Sequence, residues 1–76
     1  MGKIDNVSGK DAIKVFQKLG FEKISQKGSH IKMRRMSLGH QQTITVPNHK
    51  RLKTGTLVKG ILHPIGLSVD EFINLL

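Results

Sequence analysis

Gly28-Ser29-His30-Ile31-Lys32-Met33-Arg34 is the stretch on which the fold turns. A glycine, which accepts left-handed backbone geometry at no steric cost, precedes a strict alternation of polar and apolar side chains. That is the pattern of a half-buried strand entered from a tight turn. In such a strand Ile31 and Met33 point to one face, and His30, Lys32 and Arg34 point to the other. Upstream, Phe21–Lys27 reads as the strand that pairs across the Gly28 turn. Downstream, Ser37-Leu38-Gly39-His40 reads as a second turn. Thr43-Ile44-Thr45-Val46 then alternates again until Pro47, which has no amide hydrogen for a ladder, ends the run. Three strands joined by short turns predict an antiparallel meander, with one apolar face covered by helices and one polar face in water.

Helical signals flank the meander. Ser8, with Asp11 three residues on, opens a helix over Ser8–Leu19, because the hydroxyl can accept a free amide and the acid sits in the first turn. Ala12, Ile13, Phe16 and Leu19 recur at helical spacing, while Lys10, Lys14 and Lys18 form a stripe that reads as a solvated face. Gly20 suits the C-terminal end. Beyond Pro47, Leu57, Val58, Ile61 and Leu62 return to helical spacing. Gly60 weakens that segment by about 1 kcal/mol relative to alanine, and Pro64 bounds it. Ser68, followed by Asp70 and Glu71, caps a last short helix carrying Val69, Phe72, Ile73 and Leu75. The expected fold is α+β, in the order α-β-β-β-α, with a three-stranded antiparallel sheet, helices on one face and a short C-terminal helix. No repeat, low-complexity tract or linker divides residues 1–76, which read as one domain.

Composition limits what such a domain can do. A chain of 76 residues buries only about 60% of its unfolded surface, so a site belongs on an exposed face rather than in a deep cavity. The absence of cysteine removes disulfides, thiolate zinc sites and cysteine nucleophiles together. No apolar run approaches the ~20 residues of a membrane span, and Met1-Gly2-Lys3-Ile4-Asp5 lacks a signal-peptide core, so a cytoplasmic location is expected. Thirteen Lys and Arg against five Asp and Glu give a net charge of +8 and a pI near 10.4. A field of that sign and size attracts polyanions, nucleic acid first among them. Stacking on bases is not expected, because Trp and Tyr are absent and Phe16, Phe21 and Phe72 all occupy core-periodic positions. Recognition of a phosphate backbone is.

Few residues are equipped for catalysis. Three of the five acids, Asp11, Asp70 and Glu71, are accounted for by helix N-termini, leaving Asp5 and Glu22. A carboxylate pair or two-metal cluster would exhaust them. No phosphate-gripping glycine loop, dinucleotide fingerprint or nucleophile elbow is present. Histidine remains, and none of His30, His40, His49 and His63 pair at the helical spacing of a zinc site. His30 follows the Gly28-Ser29 turn and shares a face with Lys32 and Arg34. RNA supplies its own nucleophile, the 2′-hydroxyl, so a protein that cleaves it needs only a proton-transfer group and cations for the developing oxyanion. Imidazole, with an ordinary pKa of about 6.5, suits the first task. The plainer reading of His30 is a solvent-facing hydrogen bond to phosphate. His49, amid Lys50 and Arg51, reads as a phosphate contact, a second proton-transfer group or a loop cap. Lys27 adds a cation beside the turn. His40 and His63 read as structural or solvated, and Met33 and Met36 as strand packing.

In order and spacing, these residues resemble HicA-type mRNA interferases, the toxin half of bacterial toxin–antitoxin pairs. The resemblance runs from Ser8 to Leu76. It rests on Ser8 and Asp11, Leu19-Gly20-Phe21, Gly28-Ser29-His30, Val46-Pro47 with His49, Gly55-Thr56-Leu57, Ile61-Leu62, Gly66-Leu67-Ser68 and Glu71-Phe72. No one of these motifs is specific, but their succession over nearly the whole chain is. The chain departs from many relatives at Met33, where an aromatic is common, in the hairpin Met36–His40, and at Gly60 and Pro64. The resemblance implies a double-stranded-RNA-binding-domain-like fold and a type II toxin acting as an mRNA endoribonuclease without metal or cofactor. It implies that His30 is the catalytic general acid or base, presented by Gly28 and Ser29, and that a HicB-like antitoxin binds the toxin and masks that histidine. Lys27, Lys32, Arg34, His49, Lys50 and Arg51 are the residues expected to hold RNA phosphates. Two other readings accommodate the same charge and fold. One is a basic RNA-binding module without catalysis, or a dormant toxin acting only through its antitoxin. The other is an interaction protein whose surface serves an acidic protein partner.

Overall fold

Helix α1 begins where the sequence places its cap. In the computed structural model, which describes residues 6–76, α1 spans Gly9–Lys18. The Ser8 hydroxyl accepts the Asp11 amide at 3.0 Å. At the other end Gly20 adopts φ +93°, so that the Phe21 and Gly20 amides donate to the carbonyls of Phe16 and Gln17 at 2.9 and 3.0 Å. That paired arrangement satisfies the helix's last acceptors and turns the chain into the sheet. Asp5, one of the acids left over above, lies outside the described residues.

The three strands are β1, Glu22–Lys27, β2, His30–Ser37, and β3, His40–Pro47, in the order β1-β2-β3 and antiparallel throughout. Both hairpins close with two residues. Gly28 takes φ +61° in the first; in the second Leu38 and Gly39 take φ +52° and +78°, the primed geometry that matches strand twist. Strands β2 and β3 therefore run further into the second turn than the Ser37–His40 reading allowed. Alternation along β2 is as expected: Ile31 and Met33 are buried while His30, Lys32 and Arg34 are exposed. Val46 and Ile44 continue the buried face in β3.

Helices cover that face alone. Phe16 meets Phe21 edge-on at 5.7 Å and Phe72 at 5.8 Å, and all three rings are buried. The second helical segment departs from its expected form. Thr56–Leu62 winds as a π-helix, followed by a 3₁₀ turn over His63–Ile65 that contains Pro64. Its buried side chains, Leu57, Ile61 and Leu62, stand at i, i+4 and i+5. The wider turn of a π-helix brings that spacing onto one side, and Gly60 sits within it. Gly66, at φ +71°, ends the segment, and helix α2, Val69–Leu75, starts from Ser68 with a reciprocal capping box to Glu71. Lys18, though exposed, reaches from α1 to the Leu75 carbonyl at 2.7 Å, so one member of the lysine stripe ties the helices together at the surface.

One glycine is fixed by close approach. The Gly9 amide donates to the His49 carbonyl at 2.8 Å. A Cβ on Gly9 would overlap the Pro47 carbonyl oxygen and lie 2.7 Å from the Asn48 Cα and 3.0 Å from the His49 nitrogen. Gly9→Ala should therefore destabilise the fold by about 1–3 kcal/mol, as overpacking does, although alanine is the better helix former. Chemical denaturation measures it. A midpoint equal to or above wild type would contradict the contact.

Candidate nucleic-acid interface

Directly paired residues of an antiparallel sheet point to the same face, so the register gives what the open face presents. Its first row is Lys27, His30 and Pro47, and its second Ser25, Lys32 and Thr45. The third row is Glu22, Arg34 and Thr43, and the fourth pairs Met36 with Gln41. Rows follow one another at about 7 Å, two residues of strand. Lys27, His30, Lys32 and Arg34 are all exposed. An imidazole and three cations thus stand on one wet surface, where a phosphate can approach them and a proton can be exchanged with solvent.

The basic end of this face gives way to an apolar one. Met36 is 65% exposed and Leu38 97% exposed. With Ile24, at the bulge between Lys23 and Ser25, Met36 lines a shallow recess beside Arg34. Met36 thus does not pack into the core as expected, because its even-numbered place in β2 puts it on the side of His30. Met33, on the odd side, does pack there. Arg35, also on the odd side, turns under the sheet. Its guanidinium stacks 4.7 Å above the Phe21 ring, and it donates to Gln42 at 2.7 Å and to the Leu19 carbonyl at 3.0 Å. It is a structural cation.

The turn that presents His30 is braced from both sides. Gln26 donates to the Gly28 carbonyl at 3.0 Å and accepts from Lys23 at 2.8 Å. From the end of β3, the Asn48 amide donates to the Ser29 carbonyl at 2.6 Å, and the Ser29 hydroxyl lies 3.2 Å from His49 Nε2. The 48–51 loop is itself tied down, by the Gly9–His49 bond and by the Leu52 amide donating to the Val7 carbonyl at 2.7 Å. His49 is therefore bonded to the residue next to His30. Lys50 and Arg51 are exposed on the same loop.

Lys10, which along the helix reads only as one of a solvated stripe, belongs to this corner as well. It lines a recess of about 290 Å³ with Ser8, Asn48, His49 and Lys50. His49 also lines a second recess of about 270 Å³, with Pro47, Arg51, Leu52, Lys53 and Thr56. The contact that brings Lys10 there runs through Gly9, and a glycine in a helix's first turn was the one available signal. His40 and His63 are exposed and form no part of this group. Among the described residues no set of three or more His, Cys, Asp or Glu side chains converges to hold a metal ion, and no helix is long and apolar enough to cross a membrane.

Residues 9–67 match a family model described as the HicA toxin of bacterial toxin-antitoxin. No curated protein and no solved structure matches the chain.

Proposed function

Since the chain belongs to the HicA toxin family of bacterial toxin–antitoxin systems, we propose that it is a metal-independent mRNA endoribonuclease. In this reading His30 transfers the proton at the 2′-hydroxyl or at the leaving oxygen. The observation that carries it is the exposed His30 in one row with Lys27 and one step along the strand from Lys32. The attacking 2′-oxygen comes from the substrate, so the protein need only place the phosphate, accommodate its developing charge and move protons. Lys27, Lys32 and Arg34 on the sheet, with Lys50 and Arg51 on the loop, supply the positive charge. Proton transfer and positive charge on an open face are the only aids to the reaction, and they make the enzyme slow. The natural partner is a HicB-like antitoxin covering the histidine face, and the site of action is the cytoplasm.

The test is incubation of the purified protein with RNA in excess chelator. Cleavage is expected to persist; its loss, with recovery on adding a divalent cation, would reject the metal-free mechanism. Binding without cleavage would favour a module that only holds RNA.

The cations carry a separate expectation. Lys32→Ala and Arg34→Ala should each weaken binding to RNAs of any sequence and lower the slope of log affinity against log salt by about 1. Salt titration by fluorescence anisotropy reads both. An unchanged slope would remove that residue from the phosphate contacts.

A further inference from the structure

Cleavage by the 2′-hydroxyl moves two protons, and a single imidazole is in place for one of them. One proton leaves the 2′-oxygen as it bonds to phosphorus; another must reach the 5′-oxygen as the P–O5′ bond breaks. We infer that His49 is the second proton-transfer residue, paired with His30 across the Gly28-Ser29 turn and held in position by the Ser29 hydroxyl. The inference rests on the ribonuclease reading of the site.

Four observations support it. Pro47 is the register partner of His30, so β3 delivers His49 two residues beyond the row that holds His30. The Asn48 amide bonds the Ser29 carbonyl at 2.6 Å, which fixes the path between them. The Ser29 hydroxyl lies 3.2 Å from His49 Nε2 and engages one ring nitrogen, leaving Nδ1 as the atom that can exchange a proton with substrate. The ring is exposed, and it lines both recesses, one with Lys10 and Lys50 and the other with Arg51 and Lys53. An RNA strand entering either recess meets cations beside the imidazole. A loop cap would need neither the exposure nor the cations.

The step balances without a co-reactant. The 2′-oxygen attacks phosphorus and gives its proton to one imidazole, the other imidazolium gives a proton to O5′, and the P–O5′ bond breaks. The products are a 2′,3′-cyclic phosphate and a 5′-hydroxyl. Exchange with water then resets both rings. Ser29 is a positioning residue, not a catalytic one.

The experiment compares wild type, His49→Gln and His49→Lys for single-turnover cleavage and for RNA affinity. Lysine keeps a cation at the position, and glutamine keeps a hydrogen-bonding group. Both variants should cleave about 10²–10⁴-fold more slowly with affinity nearly unchanged. Cleavage by either within twofold of wild type would reduce His49 to a phosphate contact or cap and overturn the inference, while the ribonuclease reading stands. If the wild type leaves RNA intact, the reading and the inference fall together. A substrate with sulfur in place of O5′ needs no proton on its leaving group. It should restore the rate of either the His49 or the His30 variants, and restoration of neither would overturn the division of labour. Ser29→Ala should slow cleavage about fivefold, what one net hydrogen bond contributes, and Ser29→Thr should restore it.

Discussion

His30→Ala is expected to lower the rate of RNA cleavage by about 10²–10⁴-fold, the contribution typical of a positioned acid or base, while fold and RNA affinity stay close to wild type. The ring is exposed, and among the described residues it makes no side-chain hydrogen bond that would be lost. The β2 ladder is made by backbone, and the buried partners Ile31 and Met33 are untouched. Truncation of an exposed side chain of this kind changes stability by less than about 0.5 kcal/mol. Lys27, Lys32 and Arg34, the cations proposed to hold the phosphate, remain in place. The signature is therefore a fall in single-turnover rate without a matching fall in affinity or in thermal midpoint. A variant that cleaves like wild type would remove His30 from the chemistry. One that also unfolds would show that the ring has a structural part.

Phe16→Ala should produce the largest loss of stability. Phe16 is fully buried and touches the rings of Phe21 and Phe72, so it joins α1 to the start of the sheet and to α2. Removing a buried phenyl ring costs about 3–5 kcal/mol, and a domain of this length has roughly 4–11 kcal/mol in all. The thermal midpoint, followed by far-ultraviolet circular dichroism, should fall by at least about 12 °C, or the variant should be unfolded at room temperature. Phe16→Leu, which keeps most of the volume, should cost less than about 1.5 kcal/mol. A fall of less than about 3 °C for the alanine variant would contradict the aromatic core.

Most of the sheet and its flanking helices could be read from residue order. The alternation at Ile31 and Met33, the caps at Ser8 and Ser68 and the glycines at 20 and 28 each report a local constraint, and local constraints survive folding unchanged. What escaped depended on the winding of a later segment and on the parity of two residues in β2. Leu57, Val58, Ile61 and Leu62 together read as an ordinary helical pattern, whereas the residues actually buried are Leu57, Ile61 and Leu62, a set that the wider winding brings onto one side. Met36 looked like a core residue by composition, although its parity in β2 already assigned it to the open face. Arg34 and Arg35 are adjacent and chemically alike, yet one faces water and the other stacks on Phe21, again by parity.

The site divides in the same way. His30, Lys32 and Arg34 lie on one strand, and the strand's period of two is enough to group them from residue order alone. His49 and Lys10 lie on different elements, and only the contact at Gly9 and the bond to Ser29 bring them to the same corner. Lys10 in particular was indistinguishable from Lys14 and Lys18 along the helix.

The most direct measurement is the chemistry of the ends left when the purified protein cuts RNA in chelator. The expected ends are a 2′,3′-cyclic phosphate on one fragment and a 5′-hydroxyl on the other, formed about 10²–10⁴-fold more slowly with His30→Ala and not at all with a 2′-deoxy residue at the cut position. Fragments bearing 5′-phosphate and 3′-hydroxyl ends, or fragments that form at the wild-type rate without the His30 imidazole, would contradict the mechanism.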